Sequence, residues 1–303
     1  MKINSGELIK KMRKDMGISQ TELAERLFLS GRQLSRIETG EVDMDIWQFA
    51  SILELMGQPS DDFWLLYLET DEYDEYKTYK HIKRLLRDGR LNDVKKLLHD
   101  LEKKDLAKRP LISQFVMFVN VIVDKEMPMD QALDILYKAI QMSIPDFNEN
   151  NVSEYRLTYN EIYIITGIAI RLNSMGERDR SINLTRSIIE SRENSRVSEE
   201  DKADIFPALM ANLSTMLGVT GKFKESLTCC NQALEICREY NNLRFIPNIL
   251  YNIASCHRKM GEEEQTYKPY LVRAYHCAYA IGNNVVANII KSDAEKNFGI
   301  ALP

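Results

Sequence analysis

Apolar residues recur at intervals of three and four along most of the chain, which is the spacing of one face of a helix. In residues 5–16, for example, Leu8, Ile9 and Met12 form such a stripe. Proline and glycine, which interrupt helices, number only 8 and 13 among the 303 residues. The pattern therefore predicts an all-α protein, and the length is sufficient for two domains.

Residues 17–41 contain two short helical stripes joined by an apolar turn. Ser19 is placed to cap the first helix, and Glu22, three residues later, is placed to complete a capping box. Ser30 follows the turn and is placed to cap the second helix. The sequence therefore predicts two separately capped helices rather than one continuous helix.

The second of these helices has one apolar side and one basic side. Leu34 and Ile37 lie about 60° apart at the helical period. Arg32 and Arg36 lie on the opposite side, with Gln33 on the flank. Arginine pairs bidentately with guanine and glutamine with adenine, so this side is suited to reading base edges. Two short helices in this arrangement are typical of a helix-turn-helix, whose second helix lies in the major groove.

Two further amphipathic helices, over residues 5–16 and 43–56, are predicted to complete the core of this N-terminal unit. The alternative is a small helical bundle whose arginines only solvate its surface. The caps, the apolar turn and the two outward arginines are all in register, which favours DNA binding over that alternative.

The stretch "ISQTELAERLFLSGRQLSRIETGE" resembles the helix-turn-helix of the lambda/434-repressor-like (Cro/C1-type, XRE-like) family, chiefly in S-Q-x-x-L-A and S-R-I-E-x-G-E. The resemblance implies that the start of the first of these two helices contacts phosphate and that the first turns of the second read bases. Gly31 stands where the family often has a polar base-reading residue, so fewer bases or DNA shape would carry the recognition. The predicted DNA-binding residues are Gln20, Thr21, Ser30, Arg32, Gln33, Ser35 and Arg36.

A different pattern follows the N-terminal unit. Pro59 ends its last helix, and the acidic run from Ser60 starts another. The segment Phe63–Leu68 is apolar nearly all round, so it is expected to pack on the second module or on a second subunit. We predict a helix-turn-helix domain over 1–58, a linker helix over 59–73 and a repeat domain over 74–303.

The repeat domain is predicted from a recurring segment with a turn, a polar helix start and a small or apolar residue. Its copies are "GRLNDVKKLL" from Gly89, "MPMDQALDIL" from Met127, "GERDRSINLT" from Gly176, "GKFKESLTCC" from Gly221 and "GEEEQTYKPY" from Gly261. They are 38, 49, 45 and 40 residues apart, longer than the tetratricopeptide period of about 34. The pattern predicts a right-handed tetratricopeptide-like α-solenoid with a concave inner surface.

Asparagines recur in register on the first helices of this solenoid, nine residues before Gly221 and nine before Gly261. In tetratricopeptide repeats this position faces the concave groove. A side-chain amide donates and accepts at once, so it can pair with a peptide backbone of any sequence. Solvated asparagines on an outer helix face are the alternative. The predicted peptide-binding residues are Tyr163, Asn173, Asn212, Thr215, Asn248, Tyr251, Asn252, Ser255 and Arg258.

Composition restricts the other functions. The net charge is −5, and residues 1–58 hold eight Lys/Arg against nine Asp/Glu, so DNA contact would depend on where the charges lie. The five cysteines form no C-x-x-C pair, the four histidines no H-E-x-x-H, and there is no phosphate-binding glycine loop. No secretory or membrane-spanning run occurs. We predict a cytoplasmic non-enzyme with no metal or cofactor and no membrane partner.

The combination of repressor-like head and tetratricopeptide-like body resembles the peptide-pheromone regulators of Gram-positive bacteria, the RRNPP (Rgg/PlcR/PrgX) group. The resemblance implies a homodimeric regulator that binds a double-stranded, palindromic operator and a short imported signalling peptide. Phe63–Leu68 and Val285–Phe298 are the two candidate dimer interfaces. An arbitrium-type phage lysogeny regulator and a repeat-based protein scaffold remain as alternatives.

Overall fold

The structure is a computed structural model that describes residues 5–44, 46–56, 72–87, 89–102 and 110–302. No β-strand occurs in these ranges, and the all-α prediction is confirmed. The helices are α1 Ser5–Asp15, α2 Gln20–Arg26, α3 Gly31–Glu38, α4 Ile46–Leu55, α5 Glu72–Arg87, α6 Leu91–Glu102, α7 Pro110–Val123, α8 Met129–Gln141, α9 Tyr159–Ser174, α10 Arg178–Glu190, α11 Glu199–Val219, α12 Phe223–Glu239, α13 Ile246–Lys259, α14 Glu264–Ala280 and α15 Asn284–Asp293. The predicted linker helix, with Phe63–Leu68, lies almost entirely outside the described residues.

Helices α1–α4 form the head, residues 5–56, around one apolar core. The predicted inward residues Ile9, Leu23, Leu34 and Ile37 are all buried in it. The helices of the head are only 7 to 11 residues long, too short to persist in isolation. Their stability therefore comes from the shared core, and Leu111 of α7 packs against that core from outside the head.

The turn between α2 and α3 places an aromatic residue in the left-handed backbone region. Phe28 has a φ of 57°, a conformation that costs an ordinary L-residue about 1–2 kcal/mol. Two backbone hydrogen bonds hold it, from Phe28 N to Glu25 O at 3.1 Å and from Leu29 N to Ala24 O at 2.9 Å. The reversal leaves Ser30 at the N-cap of α3, as the sequence predicts.

Helices α5–α15 follow the predicted repeat frame. The glycines at which four of the repeated segments begin lie in the turns after α5, α9, α11 and α13. The turn after α7, before the segment from Met127, has no glycine. Gly89, Gly176, Gly221 and Gly261 all have φ between 71° and 90°, which a residue without a Cβ adopts readily. A helix-turn-helix head followed by helical repeats is thus the observed architecture.

The chain divides into two compact units within the repeats. The first unit is Met1–Met175 with Glu193–Ser198, so it holds the head together with α5–α9. The second unit is Gly176–Arg192 with Glu199–Pro303, which holds α10–α15. Residues 193–198 therefore belong to the first unit, although both of their chain neighbours belong to the second.

Close packing of α1 on α3 generates a stability prediction at Gly6. A Cβ at this position would lie 1.9 Å from the carbonyl oxygen of Ile37, so Gly6→Ala has to push the two helices apart. We expect the substitution to lower the free energy of unfolding of the head by about 1–3 kcal/mol. Denaturant unfolding followed by tryptophan fluorescence measures this, since Trp47 and Trp64 are the only tryptophans.

The matched control is Gly31→Ala at the start of α3, where a Cβ meets nothing within 4 Å. It should leave the midpoint unchanged or raise it slightly, because alanine favours the helix. Equal midpoints for the two variants would contradict the close approach at Gly6.

Candidate DNA-binding surface and polar face of the repeats

Both helices of the predicted DNA-binding pair begin at serine N-caps. Ser19 Oγ accepts from Glu22 N at 3.1 Å, and Ser30 Oγ accepts from Gln33 N at 3.2 Å. At α3 the box is complete, because Gln33 Oε1 accepts from Ser30 N at 2.8 Å. The box predicted at α2 is only half formed, since the carboxylate of Glu22 receives Arg196 instead of the Ser19 backbone. Ser30 and Gln33, predicted to read bases, are therefore occupied with capping in this structure.

The two sides of α3 differ as the sequence predicts. Leu34 and Ile37 are buried, while Arg32 and Arg36 are exposed. Arg36 Nε lies 3.5 Å from the carboxylate of Glu41, an ion pair that is open to solvent on both sides. Such a pair contributes little to stability, so the guanidinium is available to another partner. Thr21 is also exposed, and Ser35 is half-buried.

A buried ion pair fixes α3 from the inside, and sequence reasoning missed it. Glu38 is 1% exposed, and Arg13 of α1 donates to its two carboxylate oxygens at 2.5 Å and 2.9 Å. Arg13 also donates to Ile18 O at 2.9 Å. The hydrogen bonds that Arg13 donates to Glu38 raise the pKa of the guanidinium. Glu38 belongs to the S-R-I-E segment of the helix-turn-helix pattern, so a sequence signal for its importance existed. No residue near Arg13 in the sequence identifies Arg13 as its partner.

Gln20, predicted to contact phosphate, is part of this buried network. Its Nε2 donates to Glu38 Oε2 at 2.9 Å, and the residue is half-buried. An amide nitrogen carries two hydrogens, so one remains after this bond. Glu38 therefore orients the amide of Gln20 at the start of α2.

In the second unit, α11 and α13 are neighbours and share a polar face. Of the predicted peptide-binding residues, Asn212, Thr215, Asn248 and Arg258 are exposed there, and Ser255 is half-buried. Thr215 lies three residues after Asn212 on α11. On α13, Ser255 and Arg258 lie seven and ten residues after Asn248, so the residues of each helix lie on one side of it. We call these five residues the polar face, since each of their side chains can donate or accept hydrogen bonds.

The side-chain amide of Asn252 also joins two helices. Its Nδ2 donates to Ser214 Oγ at 2.7 Å, Thr215 Oγ1 at 3.0 Å and Ala211 O at 3.2 Å. Both amide hydrogens are thereby used to join α13 to α11. Only the amide oxygen of Asn252 is left for a ligand, so it can accept but not donate.

Tyr251 is engaged by the C-terminal segment. Its hydroxyl donates to the carboxylate of Asp293, and burial together with this carboxylate raises the pKa of the phenol. Its ring centroid lies 6.2 Å from that of Phe298, over which the guanidinium of Arg258 lies at 4.9 Å. Phe298 therefore occupies part of the space beside the ring of Tyr251.

Two of the predicted peptide-binding residues belong to the first unit instead of the second. Tyr163 and Asn173 are on α9 in the first unit, and both are half-buried. The ring of Tyr163 lies 4.6 Å from Tyr159 and 6.1 Å from Phe118, which fixes its orientation.

No group of three or more His, Cys, Asp or Glu side chains in the described ranges could hold a metal ion. Four of the five cysteines are buried, and burial raises the pKa of Cys230 and of Cys237 to about 11, which makes them poor nucleophiles at neutral pH. No described helix is both long and apolar enough to cross a membrane.

The C-terminal domain of the RNPP family matches residues 137–296, more than half of the chain, and a helix-turn-helix family matches residues 9–47. The chain belongs to the RNPP family. A comparison with curated proteins gives no match.

Solved structures share the fold over nearly the whole chain. Bacillus thuringiensis PlcR, in complex with the peptide PapR7 and DNA, is 20% identical with a TM-score of 0.64, covering 95% of this chain and 98% of PlcR. ComR from S. thermophilus, with DNA and its signalling peptide ComS, is 17% identical with a TM-score of 0.56, covering 95% and 97%. The SHP pheromone receptor Rgg2 of Streptococcus dysgalactiae is 16% identical with a TM-score of 0.53, covering 97% and 100%.

Proposed function

We propose that this protein is a transcriptional regulator that binds double-stranded DNA through its head and a short signalling peptide through its repeats. The outer side of α3 carries the proposal. Arg32 and Arg36 are exposed there, while Leu34, Ile37 and Glu38 hold the other side in the core. Membership of the RNPP family supports the assignment, and the fold is shared with PlcR and ComR, both solved with DNA and a peptide. The function requires no catalytic residue, and its place of action is the cytoplasm.

In the DNA complex, α3 would lie in the major groove with Arg32 and Arg36 on base edges. Gln20 and Thr21 would meet phosphate at the start of α2, where Glu38 already orients the Gln20 amide. Ser35 would lie beside the two arginines. Ser30 and Gln33 would contact DNA only by sharing or leaving the capping box.

In the peptide complex, the polar face of α11 and α13 would bind the peptide backbone. Asn212 would both donate and accept, while Asn252 would accept through its oxygen alone. The polar face offers further donors and acceptors for specificity at Thr215, Asn248, Ser255 and Arg258. Tyr251, beside Phe298, completes the proposed set in the second unit. The peptide-binding roles of Tyr163 and Asn173, which lie on α9 in the first unit, stay predictions.

We further propose that the protein is a homodimer through α15. An eight-residue recognition helix reads few base pairs, and a two-fold dimer on a palindromic operator doubles that number. Val285 and Ile289 lie one turn apart on α15, and they are 71% and 61% exposed. Phe298, also in the predicted interface, is instead buried against Tyr251 and Tyr267. The proposed interface therefore centres on the exposed stripe of α15.

Arg36→Ala tests the DNA surface. The substitution should weaken binding of a duplex selected from a random library by about 1–3 kcal/mol, and relax discrimination at one base position, because one guanidinium–base contact is lost. Fluorescence anisotropy on the selected duplex and its single-base variants measures both effects. Lys14→Ala is the control, since Lys14 is an exposed cation of the same head outside α2 and α3. Unchanged affinity and discrimination for the Arg36 variant would show that the outer side of α3 does not read DNA.

Asn212→Ala tests the polar face more cleanly than a change at Asn252, which also joins two helices. A peptide selected from a random library by the wild-type protein should bind the variant about ten- to a hundredfold more weakly, because one peptide group loses its partner. Calorimetry gives the affinity. Asn231→Ala, at an exposed position on α12, is the matched control. Equal affinities for the wild type and the Asn212 variant would mean that the ligand lies elsewhere.

Ile289→Glu tests the dimer. A buried, unpaired carboxylate opposes association, so the variant should be monomeric at concentrations where the wild type is dimeric. Light scattering at micromolar protein measures the mass. Leu243→Glu introduces the same charge at a position that is 54% exposed outside α15, and it should leave the dimer intact. A dimeric Ile289 variant would exclude this face as the interface.

A further inference from the structure

The side chain of Gln33 is exposed on α3, yet one end of its amide is already bonded within the helix start. Gln33 Oε1 accepts from Ser30 N and from Ser30 Oγ, each at 2.8 Å. Ser30 Oγ in turn accepts from Gln33 N at 3.2 Å. These hydrogen bonds form the capping box of α3, so only part of the Gln33 amide is available to DNA.

The bonding partners fix the orientation of this amide. A backbone N–H can only donate, so the atom that faces Ser30 N has to be an acceptor. In glutamine that atom is the carbonyl oxygen, because the amide nitrogen only donates. The oxygen has two lone pairs, and the two bonds from Ser30 use both. Gln33 therefore keeps no acceptor for a further partner while the box is closed.

The nitrogen of the same amide remains available. Among the described residues none accepts a hydrogen bond from Gln33 Nε2, which carries two hydrogens. Arg36 follows Gln33 by three residues, so the two side chains are neighbours on the surface of α3. Arg32 and Arg36 are donors only. The capping box thus gives Gln33 the same hydrogen-bonding character as the two arginines.

Base edges in the major groove differ in what such a donor meets. Guanine offers two acceptors, N7 and O6, whereas adenine combines the acceptor N7 with the amino donor N6. The usual bidentate pairing of glutamine with adenine needs the amide oxygen for N6 and the amide nitrogen for N7. That oxygen is occupied at Gln33. The residue type alone predicts adenine at this position, and the capping box removes the basis for that prediction.

A count of hydrogen bonds decides between the two bases. Pairing with adenine would form two bonds and break the two that Gln33 Oε1 accepts from Ser30. Donation to guanine from within the box forms up to two bonds and breaks none. Pairing with adenine would also remove part of the N-terminal cap, which stabilises a helix as short as the eight residues of α3. Guanine is therefore the favoured base.

We propose that Gln33 determines the choice of guanine at one position of the half-site, donating through Nε2 while its oxygen stays in the capping box. The inference rests on the proposed function, in which α3 lies in the major groove with its N-terminal residues on base edges. Gln33 shares its amide between the two tasks, with the oxygen bonded to Ser30 and the nitrogen to the base. Ser30 is then a positioning residue that acts through Gln33.

The test is a selection of half-sites from random duplexes by the full-length protein, followed by fluorescence anisotropy on single-base variants. Gln33→Ala identifies the position, as the base pair at which this variant loses discrimination and Arg32→Ala and Arg36→Ala do not. At that pair the wild type should favour guanine over adenine by about five- to a hundredfold, the range expected for one good base contact.

Gln33→Glu then separates the two ends of the side chain. Glutamate is favoured at the third position of a capping box, so the variant should fold and keep the bonds from Ser30. The outward atom becomes an oxygen, which accepts and cannot donate. The variant should therefore lose the preference for guanine and favour a base that donates, either cytosine through N4 or adenine through N6.

Lys14→Ala is the control for charge, because it makes the head more negative by the same single unit at an exposed position outside α3. It should weaken binding to all half-sites about equally and leave the order of the four bases unchanged.

A wild-type preference for any base other than guanine at the Gln33 position overturns the inference, and so does a Gln33→Ala variant that loses discrimination at no position. An unchanged order of bases in Gln33→Glu also overturns it, since guanine would then be chosen by another group. In each of these cases the proposed function stands. Selection of no DNA by the wild type overturns the proposed function and the inference together.

Discussion

Short helices in water are not stable alone, and this constraint shapes every part of the molecule. Described α-helices range from the 7 residues of α2 to the 21 residues of α11, and each buries an apolar side against a neighbour. In the head, α1 approaches α3 so closely that only glycine fits at position 6. In the repeats, neighbouring helices within each unit pack against one another. The apolar sides decide which helices meet, but they leave the exact angles open.

Buried polar contacts determine the angles between the packed helices. Arg13 and Glu38 lock α1 to α3, Arg26 and Glu161 lock α2 to α9, and Asn252 joins α13 to α11. A charge or an amide without its partner in the interior is costly, so each of these contacts tolerates little displacement. The apolar core thus supplies most of the stability, and a small number of polar contacts supplies the geometry on which a recognition surface depends.

Local patterns in the sequence predicted the local structure well. Ser19 and Ser30 are N-caps, Leu34 and Ile37 face the core, and Gly221 lies in a turn between repeat helices. These features follow from residues within one or two turns of each other, where helical spacing is informative. The fold class and the family followed from them.

Such local patterns could not predict contacts between residues that are far apart in the sequence. Arg26 and Glu161 are 135 positions apart, and Glu22 was assigned to a local capping box because its partner Arg196 is 174 positions away. Periodicity assigned Asn252 to one side of its helix, yet it could not reveal that Ser214 and Thr215 lie within reach of its amide. A helical pattern states which side of a helix a residue is on, not which group it meets there.

The placement of charge in the head shows why this distinction bears on function. The head is slightly acidic, and two of its arginines, Arg13 and Arg26, are used in buried pairs. On the outer side of α3 the exposed cations are Arg32 and Arg36. A binding surface with so little general attraction for phosphate depends on each directed contact, because non-specific affinity rises with the number of phosphates neutralised. The directed contacts proposed for Arg32 and Arg36 then depend on the accurate positioning of α3 by the buried pairs.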